Sequence, residues 1–298
     1  MLTVGPVAPE GSRLVGIDVG GTKCLGVLVD ASGTVVAECR KPTPHAHELI
    51  PVLASIVEEL GGASTVGIGV PGLVTFDGVV RASPNLRGAR DLPVASGLGA
   101  AINARVHVEN DATSAAFAEW RAGAAAGADD AIVVTLGTGI GGGIVMGGRL
   151  QRGAHGFAGE MGHMIVERDG IACPCGLRGC WERYASGSAL GDPATGRTGE
   201  QIVAAARQGD ATSIARIEEF AGWVAIGLAS LVNLCDPSVV VLGGGVLGSR
   251  DTVMPSIRTK FAEALYSAEA RPHPRLEVAV LGERAGAIGA ALLASTPV

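Results

Sequence analysis

Residues 14–29 read LVGIDVGGTKCLGVLV: an apolar run, a glycine turn and a second apolar run. Leu14–Val19 predicts a strand, Gly20-Gly21-Thr22 the turn, and Cys24–Val29 the strand that returns. Ser32-Gly33 then turns the chain into Thr34–Cys39, so it opens as an antiparallel meander of three strands. The pattern recurs about 115–120 residues later, with Ala131–Leu136, the turn Gly137-Thr138-Gly139, and Gly142–Met146 running back to Gly147-Gly148. A strand–glycine–strand unit met twice implies a duplicated α/β fold whose halves face each other.

The remaining segments fit that class. His45–Leu60 places Leu49, Val52, Leu53, Ile56, Val57 and Leu60 at helical spacing and stops at Gly61-Gly62. Val66–Val70 reads as a short buried strand, Val106–Glu109 as another strand, and Asp111–Ala122 as a helix. A long helix over Ile214–Asn233 leads to a strand, Val239–Leu242, and the turn Gly243-Gly244-Gly245. Leu276–Leu281 reads as the last strand and Ala285–Leu293 as the closing helix.

With 298 residues, 47% hydrophobic and 17% charged, the chain can build a large core, and its 46 glycines imply many close backbone approaches. The net charge of −6 and the lack of a Lys/Arg run argue against a nucleic-acid partner. No basic start with an apolar run marks a signal peptide, and no apolar stretch is expected to reach membrane-spanning length. Cys24, Cys39 and Cys235 stand isolated in apolar contexts, read as reduced thiols of a cytoplasmic protein. Residues 1–11 read as a flexible tail.

Three glycine loops could cradle phosphate: Asp18-Val-Gly-Gly-Thr-Lys23, Leu136-Gly-Thr-Gly-Ile140 and Gly243-Gly-Gly-Val246. Glycine lets backbone N–H groups approach an anion, and Thr22 and Thr138 add hydroxyl donors. Two of these loops also match a dinucleotide fingerprint, Gly137-x-Gly139-x-x-Gly142 and Gly243-x-Gly245-x-x-Gly248. That fingerprint needs a following helix. The residues after Gly142 read as strand, and too little chain follows Gly248, so a nicotinamide-dependent oxidoreductase is disfavoured. The Walker pattern is absent.

Gly159–Cys180 gathers different chemistry. His163, Cys173, Cys175 and Cys180 are four N/S ligands, the number a closed tetrahedral zinc site uses. Cys173 and Cys175 are too close to bridge comfortably, and three cysteines leave one unpaired, which weighs against a disulfide. Glu160 and Glu182 flank the set. Two further carboxylates lie at strand ends, where α/β sheets place ligands. Asp18 could hold hydrated Mg²⁺ or merely start a turn. Asp111 could act chemically or merely cap a helix.

Together with Gly69-Val-Pro-Gly72, Ser83-Pro-Asn85, Asn110-Asp-Ala112, Gly159-Glu-Met-Gly-His163 and Cys173-x-Cys-Gly-x-x-Gly-Cys-Trp-Glu182, these loops resemble the ROK family of sugar kinases and sugar-responsive repressors, from Leu14 to the closing helix. The likeness is strongest to its bacterial glucokinases. The resemblance implies an actin-like, hexokinase-type (ribonuclease H-like) pair of α/β domains with a cleft between them. It divides the chain into 12–118, closed by the helix 285–298, and 119–284 with the zinc loop. It implies ATP-dependent phosphorylation of glucose with Asp111 as general base, and sugar binding by Asn85, Asn110, Asp111, Glu160, His163 and Glu182. Asp18, Gly20, Gly21, Thr22, Lys23, Thr138, Gly139, Gly243, Gly244 and Gly245 would serve nucleotide and Mg²⁺. His163, Cys173, Cys175 and Cys180 would hold structural Zn²⁺. A homodimer or homotetramer, with sugar and ATP as its small-molecule partners, follows from the same likeness. Kinases for N-acetylmannosamine, N-acetylglucosamine or fructose share these residues, and polyphosphate is a further conceivable donor. Thr113, Phe157 and a short Gly191–Gly199 segment depart from the family's commonest pattern.

Overall fold

The computed structural model describes residues 13–30, 34–83, 86 and 88–296. The tail expected over 1–11 and the candidate Asn85 lie outside the described residues. The chain forms two compact units, one of residues 1–127, 150–159 and 281–298, the other of 128–149 and 160–280. The expected division at 118/119 differs from these bounds for a local reason. The helix starting at Asp111 runs on to Ala122, and the buried Glu119 accepts from the backbone N–H groups of Ala124 and Leu281 at 2.9 and 2.8 Å.

In the first unit, β1 (Leu14–Val19), β2 (Lys23–Val29) and β3 (Val35–Pro42) form the meander, followed by α1 (Leu49–Glu59) and β4 (Thr65–Val70). A small sheet absent from the sequence reading follows: β5 (Leu73–Val74), β6 (Val79–Ala82) and β7 (Arg90–Pro93). Then come α2 (Val94–Ile102), β8 (Arg105–Asn110) and α3 (Asp111–Ala122). The main sheet has the order β3-β2-β1-β4-β8, with β4 parallel to both β1 and β8.

The second unit repeats the plan. β9 (Ala131–Leu136) and β10 (Ile140–Met146) form the hairpin, and β11 (Arg149–Leu150) pairs beyond β10. Short helices α4 (Glu182–Ala185) and α5 (Gly187–Leu190) precede α6 (Gly199–Ala206) and α7 (Ala211–Cys235). β12 (Val239–Gly243), α8 (Arg250–Ala264) and β13 (Arg275–Val278) complete it. The order β11-β10-β9-β12-β13 matches the first sheet strand for strand, with β12 parallel to β9 and β13. The expected duplication is therefore present in the topology. β13 stops at Val278 rather than Leu281.

α7 is long and apolar enough to cross a membrane by length and composition, contrary to the expectation of no such stretch. Its apolar side, including Ile217, Phe220, Val224, Leu228 and Val232, packs into the core of the second unit with Ile132, Val134 and Val240. It is a core helix.

The closing helix α9 (Ala285–Ser295) belongs to the first unit and explains why β1 reads as a continuous apolar run. Side chains alternate across a strand. Val15, Ile17 and Val19 pack with Leu49, Leu53 and Ile56 of α1 and Leu98 of α2. Leu14 packs on the other face with Phe117 of α3 and Ala287, Ile288 and Ala291 of α9. Gly16 and Gly67 let α9 lie at backbone distance, since a Cβ at either would overlap the carbonyl oxygen of Ala287 or Ala290.

Candidate active site

Strand register builds one corner in the first unit. Asp18 pairs with Gly69, Gly69 with Glu109, and Val70 with Asn110, so Asp18, Gly69 and Asn110-Asp111 meet at the carboxyl ends of β1, β4 and β8. Gly69 is the shared wall. A Cβ there would lie 3.4 Å from Asp111 Cα and 3.6 Å from Asp18 Oδ1. The helix cap is Asn110, not Asp111: the Asn110 Oδ1 accepts from Thr113 N–H at 2.9 Å, and its Nδ2 donates to Gly72 O at 3.1 Å. Asp111 is the first residue of α3, its Oδ1 accepting from Ala112 N–H at 2.8 Å. Capping therefore does not account for Asp111.

Burial pushes the Asp18 carboxyl up to about 7, with the charge of Asp111 adding and that of Lys23 opposing. The beginning of α9 closes over it, since a Cβ on Gly286 would stand 2.7 Å from Asp18 Cγ. The loop beside it is held at its base. Gly20 N–H donates to Lys23 O at 2.9 Å, and Thr43 reaches back to Gly20 O at 2.6 Å. Gly21, Thr22 and Lys23 are exposed, and Lys23 Nζ pairs with Glu283 at 2.7 Å.

In the second unit two glycine loops lie side by side, because Gly243 pairs with Thr135 one residue before Leu136. Gly244 has φ +89, and a Cβ would come within 2.5 Å of Leu136 O, so neither backbone nor space admits a side chain. Gly137 closes onto Gly139 O at 3.0 Å, and Gly187 and Ser188 of α5 donate to the carbonyls of Gly137 and Thr138 at 2.7 and 2.9 Å. These loops border a cavity of about 1080 Å³ lined by Thr138, Glu182, Arg183, Ser249 and the 186–200 segment, slightly larger than the usual small-molecule site. A helix does follow the second fingerprint glycine run, since a 3-10 turn over Gly245–Ser249 leads into α8. After Gly142 the chain continues as strand β10, as expected.

The loop from Glu160 to Glu182 folds back on itself through Val166 N–H to Gly179 O (2.9 Å) and Trp181 N–H to Met164 O (2.8 Å). Trp181 anchors it. The indole is fully buried, its Nε1 donates to Trp223 O at 2.7 Å, and only a glycine at 227 on α7 leaves room for the ring. Truncating such a side chain typically costs about 3–5 kcal/mol. Met161 packs into the core beside Ile140, setting Glu160 and His163 on either side of it.

One donor atom from each of His163, Cys173, Cys175 and Cys180 lies within 4.8 Å of all the others. Cys175 and Cys180 sulfurs are 3.6 Å apart, and Cys173 Sγ is 4.0 Å from His163 Nδ1. Ligands on a tetrahedral zinc with Zn–S near 2.3 Å stand about 3.8 Å apart, so the set fits that ion. Burial pushes the Cys173 thiol up to about 12 and raises Cys180, whereas the Leu177 N–H lowers Cys175. Two buried thiols that resist ionising, crowded against a third that ionises more readily, are the chemistry a cation would reverse. His163 Nε2 faces Glu160 Oε2 at 3.9 Å, and Glu182 Oε1 stands 3.2 Å from Cys173 Sγ and 3.9 Å from His163 Nδ1. Glu182 also reaches the glycine loop, its Oε2 lying 2.6 Å from where a Gly139 Cβ would be. Burial raises the Glu160 carboxyl, His163 opposes this and Glu182 adds to it.

Sequence reading missed Glu109 and Arg152, a buried ion pair beneath Asn110. A glutamate next to Asn110 at the end of β8 was the available signal; nothing local pointed to its partner.

The ROK family model matches residues 14–296. A glucokinase of Streptomyces coelicolor is 37% identical over 95% of this chain and 98% of its own length. A xylose repressor of Bacillus subtilis is 33% identical, over 92% of this chain and 75% of its own. A crystal structure of a ROK family glucokinase from Streptomyces griseus in complex with glucose and AMPPNP superposes with a TM-score of 0.85 at 39% identity, covering 95% of this chain and 99% of that one. The duplicated five-stranded sheet, β3-β2-β1-β4-β8 and β11-β10-β9-β12-β13, is thus the actin-like, hexokinase-type fold. By its matched length, its motifs and its fold, this chain belongs to the ROK family.

Proposed function

We propose that the chain is an ATP-dependent hexose kinase that phosphorylates glucose at its 6-hydroxyl. The observation that carries this reading is the Asp111 carboxylate, which stands beside Asp18 at the carboxyl ends of the sheet while Asn110 does the capping. Phosphoryl transfer demands positioning and charge neutralisation more than covalent chemistry. In this reading Asp111 accepts the proton of the attacking hydroxyl, a role that typically contributes about 10²–10⁴-fold. Asn110, Glu160, His163 and Glu182 bind the other hydroxyls, with Asn85 expected beside them. Thr22, Thr138, Gly21, Gly139 and Gly243–Gly245 receive the phosphates, with Gly20 shaping the base of the first loop. Lys23 would exchange Glu283 for a phosphate oxygen.

Asp18, a carboxylate kept near half-protonation beside a second acid, fits a hydrated Mg²⁺, which would neutralise phosphate charge. His163, Cys173, Cys175 and Cys180 would hold a structural Zn²⁺. With four protein ligands, its contribution is to lock the His163 ring and the loop between Glu160 and Glu182. None of the six cysteines forms a disulfide, which suits a cytoplasmic enzyme.

The glucokinase relatives and the glucose-bound structure support glucose over other sugars. Coupled assays with ATP over a panel of hexoses and N-acetylhexosamines, on zinc-loaded protein, test the reading. Glucose is expected as the preferred acceptor. Preference for an N-acetylhexosamine would overturn the glucose assignment, and transfer to none of them would overturn the kinase.

A further inference from the structure

The first unit contains a buried charged cluster that the proposed chemistry leaves unused. Glu109, next to Asn110 on β8, has a side chain only 1% exposed, and that of Arg152 is 15% exposed. Arg152 Nε meets Glu109 Oε2 at 2.5 Å, and its guanidinium lies 4.6 Å from the centroid of the Phe76 ring. The other oxygen, Glu109 Oε1, accepts from Asn110 N–H at 2.9 Å. His107 completes the group: burial, and then the charge of Arg152, hold its imidazole down at about 4.

Arg152 stands on a loop closed by Ala158 N–H donating to Arg152 O at 3.2 Å. Gly156 presses against β5 so closely that a Cβ would come within 2.5 Å of Val74 O. Past Ala158 this loop runs directly into Gly159 and Glu160.

Stability alone is a poor reason for such a pair. Replacing a buried ion pair by apolar residues of similar volume is often neutral or stabilising. The directional consequence is more specific. Burial raises the Glu109 carboxyl, and the charge of Arg152 and the Asn110 N–H oppose it, so the cation beside Oε2 favours the carboxylate that faces the Asn110 N–H. One oxygen then orients the Glu109–Asn110 peptide, while the Asn110 side chain caps α3 and ties it to Gly72. Asp111 follows on that same backbone.

We propose that Arg152 is a positioning residue: through Glu109 it fixes the Asn110–Asp111 corner, and with it the orientation of the catalytic carboxylate. The inference rests on reading Asp111 as the general base. It makes the 152–158 loop part of the catalytic framework rather than a connector.

The test compares the wild type with Arg152→Met, Arg152→Lys, Glu109→Gln and the double variant Glu109→Gln/Arg152→Met. Steady-state kinetics with glucose and ATP are measured together with hydrogen exchange of individual amides by NMR. Arg152→Met should lower kcat by about 10–100-fold, the scale of a small misplacement of a reacting group, with the KM for ATP changed by less than about twofold. Arg152→Lys should recover part of the loss. The double variant should be no worse than Arg152→Met, because the two residues act as one unit. The Asn110 amide should exchange about 10-fold faster or more in Arg152→Met, with β1 amides unchanged. Wild-type kcat and Asn110 protection in Arg152→Met, with only a lower melting temperature, would overturn the proposal. If Arg152→Met does not fold, the near-isosteric Glu109→Gln decides by the same two readouts. If the wild-type protein transfers phosphate to no sugar, the kinase reading fails, and amide exchange still judges whether Arg152 holds the corner.

Discussion

Asp18 offers a quantitative check on the electrostatics of the corner. Its carboxyl titrates at about 7 in the folded protein, against 3.8 for the unperturbed group. The folded state therefore binds this proton more tightly than the unfolded state. Below pH 3.8 the group has no effect on stability; between 3.8 and about 7 stability falls as pH rises; above 7 the loss is complete. The difference between those two values corresponds to a ceiling of about 4 kcal/mol. The carboxylate is part-exposed, and solvent screening brings the expected cost to about 1–3 kcal/mol. Asp18→Asn removes the ionisation and keeps the shape. In buffer without nucleotide or divalent cation it should melt about 2–10 °C above the wild type at pH 8, at a few degrees per kcal/mol. The gap should close towards pH 4. Differential scanning calorimetry at pH 4–8 measures it. Parallel wild-type and variant curves across that range would show that Asp18 ionises as freely as a surface carboxylate, and the account of the corner would fail. Adding Mg²⁺ should raise the wild type at pH 8 and leave the variant unmoved, since only the wild type gains a paired charge.

Asp111→Asn should retain fold and sugar binding and lose about 10²–10⁴-fold in kcat; because Asn110 holds the cap, helix α3 should melt as before, and near-normal turnover would refute the general-base role. Metal analysis should find one zinc per chain. Cys175→Ala should lose that zinc, raise the KM for the sugar and lower kcat, while ATP affinity changes less. Full activity after exhaustive chelation would refute the proposed link between the loop and sugar binding by Glu160 and Glu182.

The order of elements was legible in the sequence wherever local chemistry is decisive. Leu14–Val19, Ala131–Leu136 and Asp111–Ala122 have in the structure the bounds that apolar runs and turn residues imply. The second hairpin, at its distance from the first, already implied duplication, and the matching order of the two sheets agrees with it. The four zinc-type ligands were legible for a related reason: they lie in one short loop, so their proximity needs only a turn and the anchor of Trp181.

Elements of mixed pattern escaped. β5–β7 are two to four residues long, and α8 carries Pro255 and only a few core side chains, so neither offers a full period to read. Function depended still more on tertiary structure. That Asp111 might cap its helix was open in the sequence, because Asn and Asp cap about equally well; the Asn110 side chain bonded to Thr113 N–H decided it. Asp18 looks like any turn-starting acid until α9, from the far end of the chain, covers it and the register of β1, β4 and β8 brings Asp111 alongside. Glu109 and Arg152 show no mutual signal at all. Hydrophobic periodicity and turn chemistry act over a few neighbouring residues, so the sequence by itself determined the longer strands and helices and the clustering of the four zinc-type ligands. Desolvation and charge pairing act through space, between residues that only the completed sheet and its covering helix bring together, and there the tertiary structure decided.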